Sequence, residues 1–382
     1  MCSLITKGTT PLDKSSVGTV NFVKIENIDE SSDEIKITQK ITIEEHNGYL
    51  CRSQLNVNDI LFSIAGTLGR VISVKSDILP ANTNQALAII RLKSGCLQYI
   101  KTYLKGKAVA DFIKKNPTIG AQPNLSLEQV RNIEIALPTK NEQELIGEYF
   151  AKLDYLITLH QRKLEKLKNF KKAMLEKMFP KNGEKTPEIR FQGFTDDWEQ
   201  RKWKDTVNIS TDMVNPICGK YDELPHVAPG NIESFTGQLL NNVKMVKEEN
   251  LISGKFYFHP GDIIYGKINP QLGKYVYVEF EGLTSADAYV LNAKNGLSQT
   301  FLFSLLQTED FFKYSVSVSR RSGMPKINRD ELNVFCFKAP SEREQQRIGT
   351  YFFKLDHLIT LHQRKLEKLQ QIKKAMLEKM FV

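Results

Sequence analysis

Three loop-like stretches early in the chain carry side chains able to bond a nucleic acid: Lys7-Gly8-Thr9-Thr10, Gly66-Thr67-Leu68-Gly69-Arg70 and Asn82-Thr83-Asn84-Gln85. Later come Lys267-Ile268-Asn269-Pro270-Gln271, Lys274 and Ser319-Arg320-Arg321-Ser322. Arg, Asn and Gln can make bidentate bonds to base edges, whereas Lys, Thr and backbone amides suit phosphates. The candidate contacts are therefore Lys7, Thr9, Thr10, Arg70, Asn82, Asn84 and Gln85, followed by Lys267, Asn269, Gln271, Lys274, Arg320 and Arg321. A polar loop is more often merely solvated, so the constellation counts for more than any member.

Catalytic chemistry has no visible home. Gly261 to Lys267 has the glycine and lysine spacing of a phosphate-binding loop, but Ile268 stands where magnesium needs a Ser or Thr hydroxyl. Its interior is apolar and strand-like, and Asn269-Pro270 follows where a helix should begin. There is no GxGxxG after a strand, no GxSxG, no HExxH and no Asn/Asp-Pro-Pro-aromatic run of the kind amino-methylating enzymes use. The five cysteines, Cys2, Cys51, Cys96, Cys218 and Cys336, form no CxxC pair and have no histidine at metal-ligand spacing. No catalytic residue, bound metal or cofactor is expected of this chain.

The loops need a scaffold, and 382 residues with 41% hydrophobic side chains suffice for two or three domains. Val20 to Ile25, Asp59 to Ile64, Arg70 to Val74 and Ala86 to Leu92 read as short strands, and Leu97 to Lys115 as an amphipathic helix. The plan returns with strands at Asp262 to Tyr265, Tyr275 to Phe280 and Ala288 to Leu291, and a helix from Leu297 to Tyr314. No apolar run is long enough to span a membrane or serve as a signal peptide, so a cytoplasmic protein without membrane contact is expected.

Self-similarity is the strongest signal. Lys152 to Leu167 recurs at Lys354 to Leu369 with only Tyr155 replaced, by His357, at an offset of 202, and Lys171 to Phe179 recurs unchanged at Lys373 to Phe381. Upstream the similarity weakens but keeps its order: Pro123, Pro138 and Glu142-Gln143 face Pro325, Pro340 and Glu344-Gln345. Each copy steps by three and four through apolar residues, the spacing of a coiled-coil seam: Ile157, His160, Leu164, Leu167 and Met174, then Ile359, His362, Leu366, Leu369 and Met376. A helix over 140 to 179 would be roughly 60 Å long and needs a partner, and the nearest is the other copy. The polar seam residues His160, His362, Lys171 and Lys373 read as a solvated seam edge, or as residues that fix register. Residues 152 to 181 carry 9 basic and 3 acidic side chains and 354 to 382 carry 7 and 3, so these two segments together exceed the whole chain's net charge of +9 and leave the remainder slightly negative. The basic balance therefore does not by itself mark the globular parts as nucleic-acid binding.

Three features together resemble the specificity subunits of type I restriction-modification enzymes, over essentially the whole chain. They are the Pro-x-x-x-Glu-Gln entries (Pro138 to Gln143 and Pro340 to Gln345), the duplicated helix ending in Lys-Met-Phe, and Pro-Glu-Ile-Arg-Phe-x-Gly-Phe-x-x-x-Trp-Glu-Gln-Arg-Lys at Pro187 to Lys202. The resemblance implies an α+β protein with two mixed α/β target recognition domains, at 1–137 and 181–339. They would be separated by conserved helical spacers, at 138–180 and 340–382, forming an antiparallel coiled coil with a pseudo-twofold internal repeat. It further implies that each domain reads half of a bipartite site in double-stranded DNA. Two methylation subunits would dock on the chain and restriction subunits would join them, with S-adenosylmethionine, ATP and magnesium belonging to those partners. Aligned at an offset of 204, Met1 falls opposite Asp205, so the first half has no counterpart of Pro187 to Lys204, which leaves the packing of its edge and its full activity open. The chain is then either a variant with a late start or one that has lost its amino terminus. The rival readings are a coiled-coil scaffold that binds only proteins, and a nuclease or methyltransferase acting alone, which would need the missing motifs.

Overall fold

A computed structural model describes residues 1–12, 17–30, 33–116, 123–181, 183–320 and 323–381. The chain divides into two compact units, one of Met1–Leu164 with His362–Val382 and the other of Glu165–Leu361. Each unit thus holds one globular domain and one end of each repeated helix, which the linear division into four segments did not foresee.

In the first unit, β1 (Cys2–Lys7), β4 (Ile60–Ser63), β5 (Val71–Ser73) and β7 (Leu87–Leu92) form an antiparallel sheet of order β1-β7-β4-β5. A smaller sheet joins β2 (Val20–Val23) to β3 (Gln39–Ile41) and, in parallel, to β6 (Ala81–Thr83). The apolar runs Ile60-Leu61-Phe62 and Leu87 to Ile90 lack polar alternation because both faces of these strands are covered. Ile60, Phe62, Ala88 and Ile90 meet Tyr99, Ile100 and Tyr103 of α1 (Leu97–Leu104), whereas Leu61, Ile72, Leu87 and Ile89 meet Val23, Leu55 and Ala81.

The single helix expected over Leu97 to Lys115 is broken, with α2 (Lys107–Lys115) starting afresh at Gly106. A Cβ on Gly106 would lie 2.6 Å from that of Phe381, so the chain turns where the terminal aromatic needs room. Strand β1 is not among the strands expected from sequence, and it pairs with β7 from Leu4 opposite Arg91 to Lys7 opposite Ala88.

The second unit repeats the layout. Strands β9 (Val207–Ile209), β14 (Ile263–Gly266), β15 (Tyr275–Tyr277) and β17 (Ala288–Ala293) form the sheet β9-β17-β14-β15. A second sheet has the order β10 (Met213–Val214), β13 (Lys255–Phe258), β16 (Gly282–Thr284), β11 (Pro225–Val227), β12 (Lys244–Met245). The false phosphate loop at Gly261 to Lys267 is mostly β14, a central strand with its backbone bonds spent on β15 and β17. Helices α4 (Gln299–Leu305) and α5 (Glu309–Ser319) again split the expected single helix, here at the cap Thr308. Among the described residues, only this unit has a strand pair like that of β8 (Glu199–Lys202) with β18 (Cys336–Ala339). The equivalent residues 134–137 of the first unit form no strand, and Leu137 is 51% exposed where its counterpart Ala339 is 1%.

The repeated helices are α3 (Lys140–Lys177) and α6 (Glu342–Met380). Gln143 and Gln345 explain the Glu-Gln entry. Gln143 donates to Pro138 O at 2.9 Å and accepts from Cys96 N at 3.4 Å, at the cap of α1. Gln345 donates to Pro340 O at 2.8 Å and accepts from Ser298 N at 2.9 Å, at the cap of α4. One side chain thus joins each long helix to its globular domain and satisfies an otherwise orphaned helix-end amide. Gly349 permits the approach, since a Cβ there would sit 2.2 Å from Thr300 Oγ1. The Lys-Met-Phe endings are anchors. Phe381 packs on Tyr99, Tyr103 and Phe150, and Phe179 on Trp198, Phe301 and Phe352.

Within the first unit α6 runs antiparallel to α3, because Asp154 meets Lys373 at 2.5 Å while His160 meets His362. In the second unit the equivalent pair, Asp356 and Lys171, makes the same ion pair. Ile157 and His160 are buried, and Leu164, Leu167, Met174, Ile359, His362, Leu366, Leu369 and Met376 are half-buried.

The solvated-edge reading of the polar seam residues is corrected. Antiparallel pairing sets the two histidines at one level, Nδ1 to Nδ1 2.9 Å apart, so one must donate and the other accept. Burial, then Lys365, His362 and Lys163, hold His160 below its ordinary value of 6.5. A base whose folded pKa is depressed leaves stability intact above the unfolded pKa, and stability falls as pH drops below it. The melting temperature should therefore decline on acidification below about pH 6.5, and His160→Leu with His362→Leu should flatten that decline. An unchanged acid slope in the double variant would rule the pair out as its cause.

Candidate nucleic-acid interface

Strand register brings most of the candidate side chains of the first unit to one end of its sheet. Lys7 closes β1 opposite Ala88, and Ser63 closes β4 opposite Leu87. The segments 7–10, 64–70 and 84–86 therefore leave the sheet together. Thr9 N donates to Thr83 O at 2.9 Å, and Thr10 Oγ1 donates to Gln85 Oε1 at 3.0 Å. Gly8 allows this crossing, because a Cβ there would lie 2.1 Å from Thr83 O. Lys7 and Gln85 are exposed, and Thr9, Thr10 and Asn84 border them. Lys7 belongs to the strand end rather than to a loop.

Two candidates have structural work instead. Asn82 is fully buried: its amide donates to Leu50 O at 2.8 Å and Ser53 Oγ at 2.9 Å, and its oxygen lies 2.5 Å from His46 Nδ1. It presents nothing to solvent and is removed from the surface set. Arg70 is half-buried, its guanidinium 3.3 Å from Ile25 O and 3.4 Å from Ile28 O, where it ties down the turn after β2.

The second unit uses the same sheet end. Gly266 pairs with Ala288 and closes the turn through Gly266 N to Lys274 O at 2.8 Å. Lys267 is half-buried, with Nζ 5.3 Å from the Tyr289 ring centre. Burial holds its ammonium below the ordinary lysine range; Lys326 and Arg329 add to this, against Asp287. Asn269 is in the left-handed region at φ +48° and accepts from the exposed Gln271 at 3.3 Å. Lys274 donates to Ile232 O. Arg320 is exposed at the end of α5, and Arg321 lies outside the described residues.

The structure adds a position that the loops alone did not reveal. A bridge joins Ala65 to Asn124 in the first unit and Ile268 to Lys326 in the second, and places Asn124 and Lys326 beside the two turns. Both directly follow the matched prolines Pro123 and Pro325, so a fixed frame carrying a changed side chain was the available signal.

Among the described residues no group of three or more His, Cys, Asp or Glu is placed to hold a metal, and no helix is long and apolar enough to cross a membrane. What the geometry defines is a protein with two related α+β units, each presenting polar side chains at one sheet end and each clamped by paired helix ends. The chain matches the type I restriction modification DNA specificity domain twice, over residues 1–169 and 195–371, and belongs to that family.

It is 29% identical over 253 residues to the EcoDI specificity subunit of Escherichia coli, a match covering 59% of this chain and 55% of that protein. It is 22% identical to the MjaVIII specificity subunit of Methanocaldococcus jannaschii, covering 85% of this chain and 78% of the relative. Its fold is similar to that of the type I S subunit from M. genitalium, with a TM-score of 0.66 at 15% identity over 99% of this chain and 93% of that one.

Proposed function

We propose that this chain is the non-catalytic, sequence-reading subunit of a type I restriction-modification complex, with each unit reading one half of a bipartite site in double-stranded DNA. The carrying observation is the contrast between the two copies. The framework contacts repeat, as with Gln143 and Gln345 at the helix caps, while the side chains at the sheet ends differ, as with Asn124 and Lys326. Conserved geometry with altered surface chemistry is what two readers of different sequences require.

On this reading Lys7, Thr9, Thr10, Asn84 and Gln85 face one half-site, and Lys267, Asn269, Gln271 and Arg320 face the other, while Lys274, like Arg70, is spent on a backbone carbonyl. The paired helices set the spacing and dock two methylation subunits, which restriction subunits join. S-adenosylmethionine, ATP and magnesium would be bound by those partners.

The test is co-expression with the cognate methylation subunit and mapping of methylated adenines in genomic DNA. A two-part motif with a fixed gap is expected, and exchange of residues 1–137 should change one part only. Methylation without a bipartite motif would refute the reading.

A further inference from the structure

A cavity of about 510 Å3 in the first unit opens between the start of α2 and the last turns of α6. Five lysines line it, Lys105, Lys107, Lys114, Lys373 and Lys374, against two carboxylates, Asp111 and Glu378. The Lys105 ammonium is inaccessible to solvent and has no hydrogen-bond partner. Its two acidic neighbours are already engaged, Asp154 by Lys373 at 2.5 Å and Asp33 by Lys101 at 3.1 Å. A buried ammonium without an acceptor is costly, and it either loses its proton or finds an anion. Burial and Lys373 do hold Lys105 below the ordinary lysine value, which an arriving anion would reverse.

The second unit is an internal control. At the offset of 202, Gln307 replaces Lys105, Glu309-Asp310 replaces Lys107-Ala108, and Lys313 replaces Asp111. Helix α5 thus begins with the acidic residues that suit the positive end of a helix dipole, whereas α2 has none in its first turn and begins with a lysine. The nearly unchanged long helix supplies the same lysines to both, so the surplus positive charge comes from the first recognition domain alone. The start of α2, the unpartnered Lys105 and four further lysines thus line one concave space.

We propose that this cavity binds a phosphate group, with Lys105 as the buried ligand and Lys107, Lys373 and Lys374 around it. The phosphate comes either from a free phosphate compound or from a nucleic-acid backbone. The site does not depend on which bases the chain reads.

Calorimetric titration of the full chain with inorganic phosphate and with pyrophosphate tests it. One site per chain is expected, weakened at least tenfold in Lys105→Gln, which installs the residue the second unit already uses. Lys374→Gln, an exposed change, should weaken it too and keeps the test open should Lys105→Gln fold poorly. Titration of duplex DNA at several salt concentrations separates the sources. A backbone phosphate predicts lower duplex affinity in both variants and a salt slope reduced by about 0.9 for one lost contact. A free compound predicts loss of phosphate binding with duplex affinity unchanged. Equal phosphate binding by wild type and both variants, or none in any of them together with unchanged duplex affinity, overturns the proposal.

Discussion

Glu344→Ala should destabilise the second unit by about 3–5 kcal/mol, whereas Glu142→Ala, the same position in the first copy, should change stability by less than about 0.5 kcal/mol. Glu344 is fully buried and takes two bonds from Arg190, Nε to Oε1 at 2.7 Å and Nη2 to Oε2 at 2.8 Å. Removing the carboxylate leaves a half-buried guanidinium without its bonded partner, with Asp196 and Asp197 acting on it only through space, and the loss of a buried partner costs far more than a surface ion pair is worth. Glu142 is exposed, and among the described residues it forms no ion pair like that of Glu344 with Arg190.

Both tryptophans, Trp198 and Trp203, are buried in the second unit, so their fluorescence during urea unfolding reports that unit alone. Hydrogen exchange along α3 up to Leu164 reads the first. A fluorescence midpoint that Glu344→Ala leaves unmoved would show that the Arg190 pair adds nothing. Arg190→Met with Glu344→Leu should recover much of the loss, since a well-packed apolar pair can replace a buried ion pair.

Inserting one heptad into each long helix, after Leu164 and after Leu361, should lengthen the gap in the methylated motif and leave both half-sites unchanged. Seven helical residues add about 10 Å, close to three base pairs of duplex. A whole heptad preserves the phase of the seam, so the pairing of Asp154 with Lys373 and of Asp356 with Lys171 persists inside each unit. Adenine mapping with the co-expressed methylation subunit gives the readout. If the gap stays the same, the helices do not act as the ruler. Changed half-sites would mean that the insertion reached the recognition surfaces.

Part of the candidate surface was legible in sequence because loops between short strands leave a sheet at its ends. Lys7, Thr10, Gln85 and Gln271 were named from residue type and do reach the surface. Asn82 was misread because polarity does not distinguish a solvated amide from one that satisfies buried carbonyls. Arg70 was misread similarly, since a guanidinium can serve a backbone turn as well as a base edge. Lys326 was missed because the bridge that brings it to Ile268 spans 58 residues, and no local pattern records such a contact.

By itself the sequence determined the duplication, the family, the two long helices and the buried strands. Repetition, heptad spacing and unbroken apolar runs are properties of order along the chain, and they survive without knowledge of contacts. Tertiary structure alone decided the partners of the polar seam residues, since antiparallel pairing joins Asp154 to Lys373 and His160 to His362 across more than 200 positions. It likewise decided which ammonium was left unpaired: Lys105 is one lysine among 53 basic residues until packing closes around it and commits its acidic neighbours elsewhere. Burial sets the cost of an unpaired charge, and burial is fixed only when distant segments meet.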